Sequence, residues 1–317
     1  MSVSVLVVDS RADTYADQLH REFPELRLHA ARGIGELEGD LSHIDVLVAL
    51  GVSVNDDVLS RLANVKWIQS LATGVDHFLR CPDIGADVLI TSARGIHGPM
   101  MREMTAFLML CLGHNVVQQV EDQKAHVWER RPWTLLFEKT AVVVGIGVSG
   151  LAIGQLLNAL GMNVIGVTRT PRAIAPFALV MHTDRLIEAA GMADYLVNVL
   201  PGSPENMGLF TREVFAAMKK SAFFLNIGRG ETIDEDALIE CLRTESIAGA
   251  ALDVFRARPL PPESPLWDLP NVVITPHIGG YVTGYEDHVM PILIENMRHF
   301  LAGRRDQMRN LVTRAQA

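Results

Sequence analysis

Along the chain, short apolar runs alternate with polar, helix-compatible segments. Val3–Val8, broken only by Ser4, ends at Asp9 and predicts a buried strand; the polar stretch from Thr14 to Arg21 predicts a helix behind it. Asp45–Leu50 predicts a second strand, and Asn55–Leu62 a helix with Asn55 near its start. Val65–Gln69 and Val88–Thr91 predict further strands. Strands that alternate with helices in this way build a parallel sheet, so the fold class is α/β.

From about Pro99 to beyond Gln118 the pattern changes to one long helix, with Met104, Phe107, Leu108 and Cys111 spaced to form a single buried face. The bulky, basic stretch Trp128–Trp133 reads as a loop, and a fresh strand begins at Ala141. The chain of 317 residues is about twice a domain of roughly 150, which predicts two domains, the second starting on the long helix. Neither repeats nor low-complexity tracts interrupt it.

Charge and cysteine content narrow the function classes. A formal net charge of -9 leaves no basic surplus to neutralise phosphates, which argues against nucleic acid as a partner. It leaves room for a small anion held by local arginines. Cys81, Cys111 and Cys241 are far apart and odd in number, so they form neither a disulfide framework nor a metal-ligand cluster, and no metal is expected. The first residues read as a strand and not as a leader, and Met104–Leu112 is much shorter than the roughly 18 apolar residues of a membrane span. These features predict a cytoplasmic protein without a membrane segment.

The densest chemical signal follows the strand Ala141–Val144. Gly145-Ile146-Gly147-Val148-Ser149-Gly150 leads into a helix through Leu160 and then a strand at Asn163–Val167. A G-x-G-x-x-G is weak alone, but here it lies between strand and helix of a βαβ unit, where a dinucleotide needs it. Gly145 permits the tight turn, Gly147 lets the backbone approach a pyrophosphate, and Gly150 lets the helix pack on the strand. The free N–H groups of the helix start, including those of Val148 and Ser149, face the phosphates. An NAD site carries Asp or Glu about 20 residues after the fingerprint begins. This chain has Thr168-Arg169-Thr170-Pro171-Arg172 there, cationic and without a carboxylate. That substitution predicts NADP(H) in preference to NAD(H), with Arg169 and Thr168, and Arg172 nearby, at a 2′-phosphate.

Four more segments accompany the fingerprint in a fixed order: Gln69-Ser70-Leu71-Ala72-Thr73-Gly74-Val75-Asp76, Leu200-Pro201-Gly202-Ser203-Pro204-Glu205, Asn226-Ile227-Gly228-Arg229-Gly230 and Thr275-Pro276-His277-Ile278-Gly279-Gly280. Together they resemble the D-isomer-specific 2-hydroxyacid dehydrogenases, particularly the glyoxylate/hydroxypyruvate reductase branch. The likeness runs from about Trp67 to the end. It implies a Rossmann-type doubly wound parallel sheet over about 99–285, and a flavodoxin-like substrate domain from 1–98 plus 286–317. It also implies an active-site cleft between the two domains, a small 2-oxo or 2-hydroxy acid as substrate, and a homodimer packed through the long helix.

Reduction of a 2-oxo acid needs a cation for its carboxylate and carbonyl, and an acid that protonates the nascent alkoxide. Arg229 follows the apolar strand Ala222–Ile227, and His277 follows Val272–Thr275, so both stand at strand C-termini, where α/β sheets bind ligands. The resemblance makes Arg229 the substrate clamp and His277 the general acid/base. It assigns the N–H groups of Thr73 and Gly74 to the substrate carboxylate, and Asp253 to the nicotinamide carboxamide. It lines the cofactor groove with Leu200, Pro201, Ser203, Ile227, His277 and Gly279. Glu103, at the start of the long helix, reads as a supporting or capping charge, and Trp267 and Tyr281 as pocket-shaping residues.

The chain departs from the family at one telling position. Asp253-Val254-Phe255-Arg256-Ala257-Arg258-Pro259-Leu260 carries Arg258 where the family has the glutamate that pairs with the histidine. A carboxylate favours imidazolium, and a cation disfavours it. If Arg258 faces His277 it depletes the acid; if it turns to solvent or pairs with Glu263, it does not. Two functions stay open: an NADPH-dependent reductase with an acid-shifted optimum, or a nicotinamide-cofactor-binding protein with little or no turnover. A formate-type relative also lacks the glutamate, but Arg258 does not match its usual glutamine.

Overall fold

Strands covered on both faces need apolar side chains on both, and this chain supplies them as runs. The computed structural model describes residues 2–312. The chain divides into two units, Met1–Ile96 with Thr283–Ala317, and His97–Val282. Residues 313–317, the end of the 286–317 stretch assigned from sequence to the first domain, lie outside the described residues.

The first unit runs β1 (Ser4–Val8), α1 (Ala12–Glu22), β2 (Arg27–Ala31), β3 (Val46–Ala49), α2 (Asp56–Ser60), β4 (Trp67–Ser70), α3 (Asp76–Arg80) and β5 (Leu89–Thr91). The sheet order is β5-β4-β3-β1-β2, all parallel, with Leu311–Val312 added antiparallel beside β5. This is the flavodoxin-like order. β1, β3 and β4 are buried at every position. β2, an edge strand whose RLHAA sequence carries no apolar run, is mostly exposed. Asn55 caps α2 by accepting the N–H of Val58 at 3.1 Å. Leu6, Leu47, Ile68 and Phe78 fill the core, each contributing about 1.5–3 kcal/mol by leaving water. Four fully buried side chains pair internally. Trp67 Nε1 donates to Thr91 Oγ1 at 2.8 Å, and Thr91 donates to Gln69 Oε1, which also receives Asn296 from the helix Tyr285–Leu301.

The second unit opens with α4 (Gly98–Gly113) and α5 (Val116–Lys124), then continues β6 (Thr140–Val144), α6 (Val148–Ala159), β7 (Asn163–Thr168), β8 (Leu179–His182), α7 (Leu186–Met192), β9 (Tyr195–Asn198), α8 (Arg212–Ala217), β10 (Phe223–Asn226), α9 (Glu235–Arg243), β11 (Gly249–Leu252) and β12 (Val272–Ile274). Its seven strands are parallel in the order β12-β11-β10-β9-β6-β7-β8. The order reverses between β6 and β9, which is the switch point of a doubly wound sheet, and ligands bind outside the strand C-termini there.

Two expectations about the long helix need correction. It is not continuous to Gln118: α4 ends at Gly113, and Asn115 takes a left-handed conformation (φ 53°) before α5 starts. Gly113 and Asn115 are poor helix formers, and this pair lets the chain turn. Phe107 is also not on the buried face. It is 52% exposed, whereas Met104, Leu108 and Cys111 are buried. Spacing alone could not separate a core stripe from an apolar surface. Among the described residues no helix is long and apolar enough to cross a membrane.

Candidate active site

The C-terminal edge of the seven-stranded sheet gathers most of the residues singled out by sequence. β6 ends at the glycine fingerprint. Gly145 has φ +98°, a conformation that side chains disfavour. A Cβ on Gly150 would stand 1.9 Å from the Gly145 carbonyl oxygen, so only glycine lets α6 start this close to β6. Nothing lies within 4 Å of a Cβ built on Gly147, and no side chain caps α6. The start of a twelve-residue helix therefore presents uncapped N–H groups at Val148 and Ser149 into open space, the surroundings a pyrophosphate requires.

At the end of β7, Thr168 is half-buried, and Arg169 is exposed with no carboxylate following it in the strand. The structure adds what the sequence did not suggest. Arg169 Nη1 lies 3.5 Å from Glu205 Oε2, both side chains being 59% exposed. Arg172 is exposed. The turn after β9 places Leu200 against the fingerprint, its Cδ2 3.1 Å from where a Gly145 Cβ would be. Pro201 is exposed, Ser203 half-buried and Ile227 buried.

Arg229 is held by a buried network that sequence reading missed. Asn198 Nδ2 donates to Asn226 Oδ1 (3.0 Å) and to Thr232 Oγ1 (2.7 Å). Asn226 Nδ2 and Thr232 Oγ1 both donate to the Arg229 carbonyl, at 3.2 and 2.6 Å. Gly228 N donates to Asn226 Oδ1, and Gly230 lies so close to Phe255 that a Cβ would meet its carbonyl oxygen at 1.9 Å. The turn is thus rigid, while among the described residues the Arg229 guanidinium bonds only the Gly228 carbonyl (2.8 Å). Asparagines at the ends of β9 and β10 were the available signal, but their pairing spans 28 residues.

Asp253, 2% exposed at the end of β11, clamps the next loop. Its Oδ1 accepts from Thr275 Oγ1 (2.6 Å) and Ile278 N (2.9 Å), and its Oδ2 from Gly279 N (3.0 Å). His277 lies between these anchors with φ 55°, a left-handed backbone uncommon for residues other than glycine. Burial lowers its pKa first, and the cations of Arg258 and Arg229 lower it further against the opposing charge of Asp253.

Arg229, Asp253, Arg258 and His277 line one pocket of about 390 Å³, walled by Phe255, Leu260, Trp267 and Pro276. Tyr281, expected beside Trp267, is 68% exposed and does not line it. Glu103 is exposed. Arg256 also lines the pocket, but its guanidinium is bonded to Asp236 at 3.0 Å, while its N–H donates to Glu235. Among the described residues no carboxylate forms an ion pair with Arg229 or Arg258, Glu263 included. Thr73 and Gly74 belong to the other unit, in the loop after β4, which curls around Ser70; the Ser70 hydroxyl bonds the Gly74 carbonyl at 3.0 Å. Among the described residues no group of three or more His, Cys, Asp or Glu could hold a metal ion.

Arg229, Asp253 and His277 thus stand just after β10, β11 and β12, on the sheet edge that carries the glycine fingerprint. The sequence profile of the D-isomer specific 2-hydroxyacid dehydrogenase, NAD binding domain, matches residues 106–279. The chain belongs to the D-isomer specific 2-hydroxyacid dehydrogenases. These are NAD(P)-dependent oxidoreductases, and the residues above fit a nicotinamide dinucleotide. Among curated relatives of this dehydrogenase, glyoxylate/hydroxypyruvate reductase B of Pectobacterium carotovorum is 30% identical, with 96% of each chain covered. D-3-phosphoglycerate dehydrogenase of Methanocaldococcus jannaschii is 31% identical over 95% of this chain, which spans only 58% of that relative's length. Among solved structures, an NADPH-dependent glyoxylate/hydroxypyruvate reductase from Sinorhizobium meliloti in complex with NADP and sulfate has a TM-score of 0.84 at 28% identity. That match covers 98% of this chain and 99% of the other.

Proposed function

We propose that this dehydrogenase reduces a small 2-oxo acid of the glyoxylate or hydroxypyruvate type to the D-2-hydroxy acid, using NADP(H) in preference to NAD(H). The observation that carries this reading is the convergence of Arg229 and His277 on one pocket at the sheet edge that bears the glycine fingerprint. Arg229 grips the carboxylate and polarises the carbonyl through its planar fork of donors. When bound, the reduced nicotinamide supplies the hydride to C2. As the carbonyl electron pair moves onto oxygen, His277 delivers the proton, and solvent then recharges the imidazole. Asp253, through the N–H groups of Ile278 and Gly279, fixes where His277 stands and marks the end of the groove formed with Leu200, Pro201, Ser203 and Ile227.

The NADP(H) preference is supported by Arg169 and Thr168 and by the lack of a carboxylate at the end of β7, and by NADP in the Sinorhizobium relative. A homodimer is supported by apolar side chains left exposed on α4 and in the loop after α5: Phe107, Leu110, Trp128, Trp133, Leu135 and Phe137. Three free, buried cysteines support a reducing, cytoplasmic setting. A second reading, cofactor binding with little turnover, draws support from Arg258, whose charge disfavours protonated His277. NADPH consumption with glyoxylate and hydroxypyruvate from pH 5 to 8 separates the two: turnover that rises as pH falls supports the reductase, and no consumption at any pH supports the binder.

A further inference from the structure

Two arginines without carboxylate partners share the candidate pocket, and a substrate carboxylate accounts for only one of them. Arg256 is tied to Asp236, so Arg229 and Arg258 are the pocket cations left to a ligand. Neither lining carboxylate forms an ion pair with them among the described residues. Both oxygens of Asp253 are engaged by the His277 loop, and Glu231 stands beside Gly202 without an ion pair. Phe255, Leu260, Pro259 and Trp267 give the Arg258 side of the pocket an apolar wall, against which a charged contact is less screened than on open surface. The Trp267 indole is turned to the Pro261 carbonyl at 2.9 Å, so that wall offers no competing donor from its ring nitrogen.

We propose that Arg258 is a specificity residue: it takes the distal carboxylate of a 2-oxo dicarboxylic acid whose first carboxylate and carbonyl are held by Arg229. The inference rests on the reductase reading and narrows its substrate class. A single planar guanidinium fork matches a carboxylate with two parallel hydrogen bonds. The bound distal carboxylate also offsets the Arg258 charge felt by His277, whose other charged neighbours are Arg229 and Asp253. Substrate thus supplies the negative charge that favours the imidazolium, and the acid becomes competent when the correct ligand is in place. The bonds made and broken are those of the reductase reaction: C2 gains the hydride of the reduced nicotinamide, the carbonyl oxygen gains the His277 proton, and the distal carboxylate is unchanged.

The test compares oxaloacetate with 2-oxobutyrate, which share a four-carbon chain and differ in the distal charge. In the native protein kcat/KM for oxaloacetate should exceed that for 2-oxobutyrate, with the kcat pH profile displaced to higher pH. Arg258→Gln should cut the ratio of kcat/KM for oxaloacetate to that for 2-oxobutyrate about 10–100-fold, while the 2-oxobutyrate profile moves to higher pH because a cation beside His277 is gone. Calorimetric binding of D-malate and D-2-hydroxybutyrate to the NADPH-saturated protein, where hydroxy acids cannot turn over, reads the anion subsite directly. A D-malate preference that vanishes in Arg258→Gln supports the subsite even if no 2-oxo acid is reduced, an outcome that would sink the reductase reading alone. Equal reduction of both acids, or a ratio unmoved by Arg258→Gln, overturns the inference and leaves the reductase standing.

Discussion

Removing the Asp253 carboxylate tests whether the His277 loop is held as the geometry indicates. Asp253→Ala strips the acceptor from three donors at once, Thr275 Oγ1 at 2.6 Å, Ile278 N at 2.9 Å and Gly279 N at 3.0 Å, at a site 2% exposed. A buried donor left without a partner costs about 1–3 kcal/mol, and water entering the vacated space recovers part of that. The expected loss is about 3–5 kcal/mol, the range for breaking a buried charged cluster. At roughly 2–4 °C per kcal/mol, calorimetry should show the transition of this unit falling by about 6–20 °C. Asp253→Asn keeps an acceptor oxygen but turns an amide donor toward one of the loop N–H groups, so its loss should be about half as large. Activity offers an independent readout. The Asp253 charge favours protonated His277, so in both variants the acidic rise in reduction rate should move to lower pH. An Asp253→Ala protein that melts within about 2 °C of native, with an unmoved pH profile, refutes the clamp.

Three further outcomes are expected. Arg258→Glu replaces a cation that lowers the His277 pKa with an anion that raises it, so the pH profile for hydroxypyruvate reduction should move to higher pH; a profile that stays put removes Arg258 from the site's electrostatics. Arg169→Ala should weaken NADPH binding about tenfold or more with NADH little changed, and Glu205→Gln, by releasing Arg169 from its 3.5 Å neighbour, should tighten NADPH binding, both read by nucleotide fluorescence titration. Gly150→Ala must push α6 away from a carbonyl that its methyl would meet at 1.9 Å; a stability loss of about 1–3 kcal/mol in denaturant unfolding and weakened nucleotide binding are expected.

The sequence was legible wherever structure follows from neighbouring residues. The apolar runs of β1, β3 and β6 are buried strands because both faces are covered, and Asn55 caps its helix as its position implies. The fingerprint could be read because each glycine answers a local backbone demand, as Gly145 and Gly150 do. Features set by tertiary packing were not legible. β2 escaped because an edge strand buries little and need not be apolar. The break at Asn115 and the exposure of Phe107 depend on what covers α4, which periodicity does not report. Glu205 beside Arg169 and the Asn198–Asn226–Thr232 network join residues tens of positions apart, so only the fold brings them together. For Arg258 the open question was whether it faces His277; the fold puts both in one pocket, where the guanidinium lowers the imidazole pKa.

The most direct measurement is NADPH oxidation by the native protein with glyoxylate, hydroxypyruvate and oxaloacetate across pH 5–8, run beside NADH. Consumption that depends on a 2-oxo acid, favours NADPH and increases as pH falls is the expected result, because Arg229 and His277 then act together with His277 as the acid. Nucleotide binding without consumption at any pH, for all three acids, contradicts it and leaves a dehydrogenase fold that binds its cofactor and does not turn over.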